Sequence, residues 1–215
     1  TSHFPTEATI EHQKHKTMFK PLTVTLLLLI VVLFTMNIVQ AVQLSSAEKK
    51  QIVDTHNFLR TKVYPAAASM QTIVWDTKLE KIAADWASQC KSDSGILLGH
   101  NPNRSKTYST YVGENIYASS STTSANVVSA VNMWFNEAKY FNYSTNKCQA
   151  GQVCGHYTQV VWAKTNKIGC ARNYCKNVRF GMSIVCNYAP GGNFNNELPY
   201  VKGRANGQTG IYTAK

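Results

Sequence analysis

No stretch of this 215-residue chain stays apolar for the roughly 20 residues that a bilayer-spanning helix needs. The longest apolar run, Leu22 to Phe34, is broken by Thr35 and Asn37, which is too short for an anchor and suits a secretory signal. The chain also lacks a cysteine pair at zinc-finger spacing matched to a second such pair, which excludes a structural zinc site of that kind. No serine sits in a G-x-S-x-G elbow, so that hydrolase signature is absent. Lysines and arginines are scattered and never form a basic run interleaved with aromatics, which argues against nucleic acid as a partner. There is no internal repeat, and solenoid architectures fall away with it.

What is present points to export. Met18 and Lys20 precede the apolar run, and Val39-Gln40-Ala41 puts small or aliphatic residues where a signal peptidase reads them. Residues 18–41 are therefore expected to be a signal peptide. Residues 1–17 read as an upstream segment, non-native or derived from an untranslated region. Residues 42–215 have the length of one domain. The formal net charge of +11, from 22 basic against 11 acidic residues, suits anionic cell-wall or membrane surfaces and equally serves solubility. All six cysteines lie after Ala41, and an even count behind a secretory signal implies three disulfides, although spacing does not choose among the pairings. Sequons at Asn103 and Asn142 are candidate glycosylation sites consistent with that route.

Helices come first along the chain. Ser45 or Ser46 starts one that carries Ile52, His56, Leu59 and Val63 at helical spacing, and Pro65 ends it. Asp76 or Thr77 caps a second with Leu79, Ile82, Ala83, Trp86, Ala87 and Cys90 on one face. Residues 91–113 read as a loop. A third helix runs through Val127, Val131, Trp134 and Phe135. Period-two alternation then predicts strands at about 157–164, 167–173 and 180–188, which puts His156 at the edge of a buried sheet. Helices followed by antiparallel strands make an α+β domain. Residues 201–215 read as a flexible tail.

Two motifs carry more information than the rest. One is Gly155-His156-Tyr157-Thr158-Gln159-Val160-Val161-Trp162 with its lead-in Lys147-Cys148-x5-Cys154, and the other is Ile184-Val185-Cys186-Asn187-Tyr188-Ala189-Pro190-Gly191-Gly192-Asn193. At this separation they resemble the CAP superfamily (cysteine-rich secretory proteins, antigen 5 and pathogenesis-related class 1 proteins), with plant pathogenesis-related class 1 proteins nearest. The resemblance covers residues 42–200 as a CAP (SCP) domain. It implies an α-β-α sandwich with a central antiparallel sheet and the disulfides Cys90–Cys175, Cys148–Cys154 and Cys170–Cys186. His56-Asn57-x2-Arg60 matches a family signature that we read as structural.

The resemblance also implies sites. His100, Glu114, Glu137 and His156 match a tetrad that would meet in a cleft. Two imidazoles and two carboxylates suit a weakly held divalent ion such as zinc, and they equally suit a hydrogen-bonded network tying loop, helix and sheet together. Phe135, Tyr140, Phe141 and Tyr143 fit an aromatic pattern associated with sterol binding. Helical spacing alone would place such aromatics in the core. Residues 190–200 resemble a C-terminal defence peptide, with Ala189 where aspartate usually precedes the cut. The expectation is a secreted, monomeric defence protein of the extracellular space (the apoplast, if a plant's) that binds sterol or another lipid. No cofactor is required and no nucleophile is assigned. Its rivals are a metal-dependent or serine hydrolase using the tetrad cleft, and a precursor of the peptide.

Overall fold

The computed structural model describes residues 43–120 and 126–203. The signal-peptide expectation for residues 18–41, and the reading of residues 1–17, lie outside the described residues. No helix among the described residues is long and apolar enough to cross a membrane.

Helix α1, Ser46–Arg60, begins where Ser45 accepts from Glu48 N and the Glu48 carboxylate accepts from Ser45 N (2.8 Å). This reciprocal cap satisfies two of the amides that a helix start leaves without partners. A short strand β1, Val74–Trp75, leads to α2, Thr77–Ala87, whose cap is Asp76 accepting from Leu79 N at 2.9 Å. Strand β2, Gly113–Ser119, follows, then α3, Val127–Asn136, which tightens into a 3-10 turn, Glu137–Tyr140. A small ribbon pairs β3, Phe141–Asn142, with β4, Lys147–Cys148. Helix α4, Gly155–Val160, precedes the long strands β5, Lys167–Tyr174, and β6, Met182–Ala189.

The main sheet has the order β1-β5-β6-β2. Strands β5, β6 and β2 run antiparallel, the first two at expected positions and β2 in place of the strand expected at 157–164, while the two-residue β1 joins β5 in parallel at one edge. All eight residues of β6 are buried, because helices cover the sheet on both sides. Met182, Ile184, Cys186 and Tyr188 share a core with residues of α1, α3 and α4. Val185, between them, packs with Ala83, Trp86 and Ala87 of α2 on the opposite face. This is the α-β-α sandwich, and each fully buried Ile or Leu adds about 1.5–3 kcal/mol. Gly169 lets α2 come close: a Cβ there would stand 2.1 Å from Glu80 N and 2.5 Å from Asp76 O.

The three disulfides are Cys90–Cys175, Cys148–Cys154 and Cys170–Cys186, as the resemblance implied, and no cysteine is free. They suit an oxidising compartment.

Three expectations need correction. Residues 155–160 are helical, so His156 stands at a helix start and not at a sheet edge. Tyr157, Gln159 and Val160 are all buried, and periodicity does not separate a short helix buried on several sides from a strand. The loop 91–113 ends where β2 begins, a strand that the polar residues Glu114 and Asn115 concealed. Residues 201–203 are held against residues 66–68: Ala68 N donates to Val201 O, Gly203 N donates to Ala66 O, and Ala67 bridges to Lys202. The remainder of the expected tail, 204–215, lies outside the described residues.

The His56-Asn57-x2-Arg60 signature is structural throughout. Asn57 exchanges two hydrogen bonds with the Ile73 backbone (2.8 and 2.9 Å), acting as a stand-in for a strand neighbour. The Arg60 guanidinium donates to five backbone carbonyls: Gln71, Val160, Trp162, Ala163 and Thr165. His56 is fully buried, with Nδ1 against Ile52 O (2.7 Å) and Nε2 against the Tyr188 hydroxyl (3.0 Å).

Burial pulls the His56 imidazole down from 6.5 to about 4, with the Arg60 charge acting in the same direction and the Ile52 hydrogen bond opposing it. The unfolded chain therefore binds a proton in a pH range where the folded chain does not. Stability should be complete above pH 6.5 and fall as pH drops towards 4, by about 3 kcal/mol in total from this one residue. Urea unfolding at pH 7 and pH 4.5 measures it, and equal midpoints would contradict the assignment.

Candidate functional site

The four tetrad residues come together as two pairs. Strand β2 presents Glu114, whose carboxylate is fully buried; Oε1 accepts from His100 Nδ1 (2.8 Å) and from Asn101 N (2.9 Å). Asn187 on the neighbouring β6, with its amide nitrogen turned to Glu114 Oε2 (3.1 Å), accepts at the same time from Ala83 N (3.2 Å). This carboxylate thus ties the loop before β2 to the sheet and to α2.

Glu137 opens the 3-10 turn after α3. Its Oε1 accepts from His156 Nδ1 (2.7 Å), and its Oε2 accepts from the backbone amides of His156 and Tyr157 (both 3.1 Å). The first residue flanking α4, Cys154, offers no side-chain cap. Glu137 supplies that cap from another element and orients the imidazole with the same carboxylate. Trp134 lies nearly parallel to the His156 ring, with centroids 6.3 Å apart and an interplanar angle of 17°. The pairs adjoin through Asn115, the residue after Glu114, whose Nδ2 donates to His156 O (3.1 Å) and to the Tyr188 hydroxyl (3.3 Å).

The expectation of one four-ligand cluster is therefore revised. Among the described residues no group of three or more His, Cys, Asp or Glu side chains could hold a metal ion. Both carboxylates are already engaged by N–H donors. Both imidazoles are held through Nδ1, which leaves each Nε2 without a protein partner among the described residues. A carboxylate on one ring nitrogen with the other nitrogen open is the arrangement that prepares a histidine as a metal ligand. The glutamates would then orient the ligands and not bind the ion. Among the described residues no serine or threonine hydroxyl is hydrogen-bonded to His100 or His156.

The aromatic constellation divides. Phe135 is half-buried against the core, edge-on to Tyr157 with centroids 5.5 Å apart, and does not line the surface groove. Tyr140, Phe141 and Tyr143 do line that groove, whose volume is about 910 Å³. Tyr64, which is 92% exposed, and Pro65 complete its apolar lining. Lys139, Lys147 and Lys202 also line it, and no Asp or Glu does among the described residues. The β3–β4 ribbon holds the wall in place, with Gln149 N donating to Tyr140 O (2.9 Å). The Tyr143 ring stacks on Tyr200 at 5.0 Å, and its hydroxyl donates to Tyr200 O (2.8 Å). Sequence reasoning missed Tyr64 and Pro65, which join the wall from far along the chain.

The segment expected as a peptide is built into the fold at both ends. Ala189 and Tyr200 are buried, Gly192 N donates to Gln159 Oε1 (2.9 Å), and Thr165 Oγ1 donates to Pro190 O (2.6 Å). Gln159, Thr165 and the glycine turn form a buried clamp that the sequence did not reveal. A Cβ at Gly113 would sit only 1.9 Å from Gln159 Oε1, so a larger residue there would displace the Gln159 side chain from this clamp.

Known proteins share both the sequence pattern and the fold. A family description, "CAP: Cysteine-rich secretory protein family", matches residues 53–188. GLIPR1-like protein 1 of Mus musculus is 45% identical over 159 residues, which is 70% of this chain and 63% of that protein. The chain thus spans less than two thirds of the length of that relative, and about a third of Peptidase inhibitor 16 of Bos taurus. Among solved structures, Schistosoma mansoni venom allergen-like protein 4 superposes with a TM-score of 0.57 at 25% identity, covering 75% of this chain and 96% of that one. A structure of NaASP2 with Zn2+ superposes with a TM-score of 0.58 at 30% identity, covering 74% of this chain and 88% of that one. These curated relatives come from animals, and the expected placement nearest the plant proteins finds no support among them.

Proposed function

The chain belongs to the CAP, or cysteine-rich secretory protein, family, and from that premise we propose that it is an extracellular binding protein for a sterol or another flat lipid. The observation that carries this reading is the groove walled by Tyr140, Phe141 and Tyr143. Its volume of about 910 Å³ is ample for a small amphiphile. A sterol offers one hydroxyl and a broad apolar face, so it needs aromatic walls far more than carboxylates or imidazoles. The lysines at the rim suit the polar end of a lipid or an anionic surface. The defence role expected from the sequence rests on the resemblance alone.

Tyr140→Ala and Tyr143→Ala should each weaken binding of a labelled sterol at least tenfold, with the fold kept by circular dichroism. Tenfold corresponds to about 1.4 kcal/mol, well below the ~3–5 kcal/mol of a fully buried aromatic, as befits a half-exposed wall. Glu114→Gln should leave sterol binding unchanged. Normal binding by both tyrosine variants would overturn the reading.

A second reading is favoured by the two open Nε2 atoms and by the similarity to NaASP2, a protein whose structure was solved with Zn2+. His100 and His156 would hold a divalent ion weakly, with Glu114 and Glu137 orienting them. Calorimetry with zinc should show binding that His100→Ala combined with His156→Ala abolishes. Unchanged affinity in that double variant would place the ion elsewhere.

A further inference from the structure

Asn142 heads the sequon Asn142-Tyr143-Ser144, and it is itself one of the residues lining the aromatic groove. Its side chain is exposed on the β3–β4 ribbon. Its Oδ1 accepts from Ser144 Oγ (2.7 Å) and from Thr145 N (3.2 Å), while Nδ2 has no partner among the described residues. The other sequon differs. Asn103 does not line the groove, and its Ser105 hydroxyl already accepts from Val112 N (2.9 Å).

We propose that Asn142 carries an N-linked glycan whose core sugars lie along Tyr140 and Tyr143 and close the groove to lipid, so that glycosylation sets whether the chain binds. The proposal rests on the lipid reading for the ligand that is displaced, and on the sequon's position for the rest. In the attachment step the Asn142 amide nitrogen bonds to the anomeric carbon of a lipid-diphosphate-linked oligosaccharide. The bond from that carbon to the diphosphate oxygen breaks, the lipid diphosphate leaves and the amide loses one proton, with no change of oxidation state. A pyranose has an apolar face that stacks on a tyrosine ring, and its hydroxyls can bond to Lys139, Lys147 and Gln149 on the same lining. The covalent tether keeps the sugar at an effective concentration on the order of millimolar or above, so weak stacking is enough to hold it there. A free lipid must then displace it.

The test uses the full chain secreted from a glycosylating host, compared with N142Q, S144A and N103Q, with site occupancy read by mass spectrometry. N142Q and S144A remove the same glycan through different atoms and should agree. The expected result is that N142Q and S144A bind labelled sterol at least fivefold more tightly than the glycosylated chain, while N103Q behaves like the glycosylated chain. NMR of the first two sugars should show ring-current shifts that Tyr140→Ala removes. An unmodified Asn142, sugar signals at free-glycan positions, or equal sterol binding by the glycosylated chain and N142Q would each overturn the proposal. Absence of sterol binding in every form, with the ring-current shifts present, would overturn the lipid reading and leave the glycan as the occupant of the groove.

Discussion

Replacing both Cys90 and Cys175 with serine should lower the stability of the folded chain by about 4–5 kcal/mol, the largest loss of the three bridges. The bridge joins residues 85 apart, against 16 for Cys170–Cys186 and 6 for Cys148–Cys154. In the chain-entropy account the loss grows with the logarithm of the closed loop, giving about 3 kcal/mol for the middle bridge and about 2 for the shortest. Location reinforces the order. Cys90 follows α2 and Cys175 follows β5, so the link pins the helix to the sheet face where Trp86, Leu98 and Val185 pack. Denaturant unfolding of the three double-serine variants measures the series. A Cys148–Cys154 variant less stable than the Cys90–Cys175 variant would contradict it.

Arg60→Ala should cost about 3–5 kcal/mol, the range for breaking a buried charged network. The guanidinium is buried with no carboxylate partner among the described residues, and burial pulls it down to about 9. Its charge is spread over carbonyls of residues 160–165 and Gln71, at 2.8 to 3.4 Å. All but the Gln71 carbonyl belong to the turn that brings α4 back to β5, and without the guanidinium they would be buried with fewer partners. Position at the last turn of α1 helps, since a cation is favoured at a helix C-terminus. Arg60→Lys keeps the charge but not the planar fork, and should recover only part of the loss. Urea unfolding of both variants tests this, and a loss under about 1 kcal/mol for Arg60→Ala would contradict it.

Local signals were legible. Ser45 with Glu48, and Asp76, mark helix starts because a cap acts within three residues of chain. The face of α2 repeats every three to four residues, so its direction could be read as well. What stayed hidden depends on partners far along the chain. Helix α4 is capped by Glu137, which no window around His156 contains. Strand β2 buries Glu114 and Asn115, residues that look exposed until His100, Asn187 and Tyr188 are brought beside them. Phe135 and Tyr140 lie five positions apart on one sequence pattern and are both half-buried, yet with the 3-10 turn between them only Tyr140 lines the groove while Phe135 packs on Tyr157. The tetrad was found through the resemblance, and its division into two dyads was set by which backbone amides each glutamate also had to satisfy.

The most direct test of the central claim is to extract the secreted, unglycosylated N142Q chain with organic solvent and identify what was bound by mass spectrometry. A sterol or comparable lipid should be recovered at close to one per chain and should be lost in a Tyr140→Ala, Tyr143→Ala background. Recovery of no lipid, together with no saturable binding of added sterol, would contradict the account.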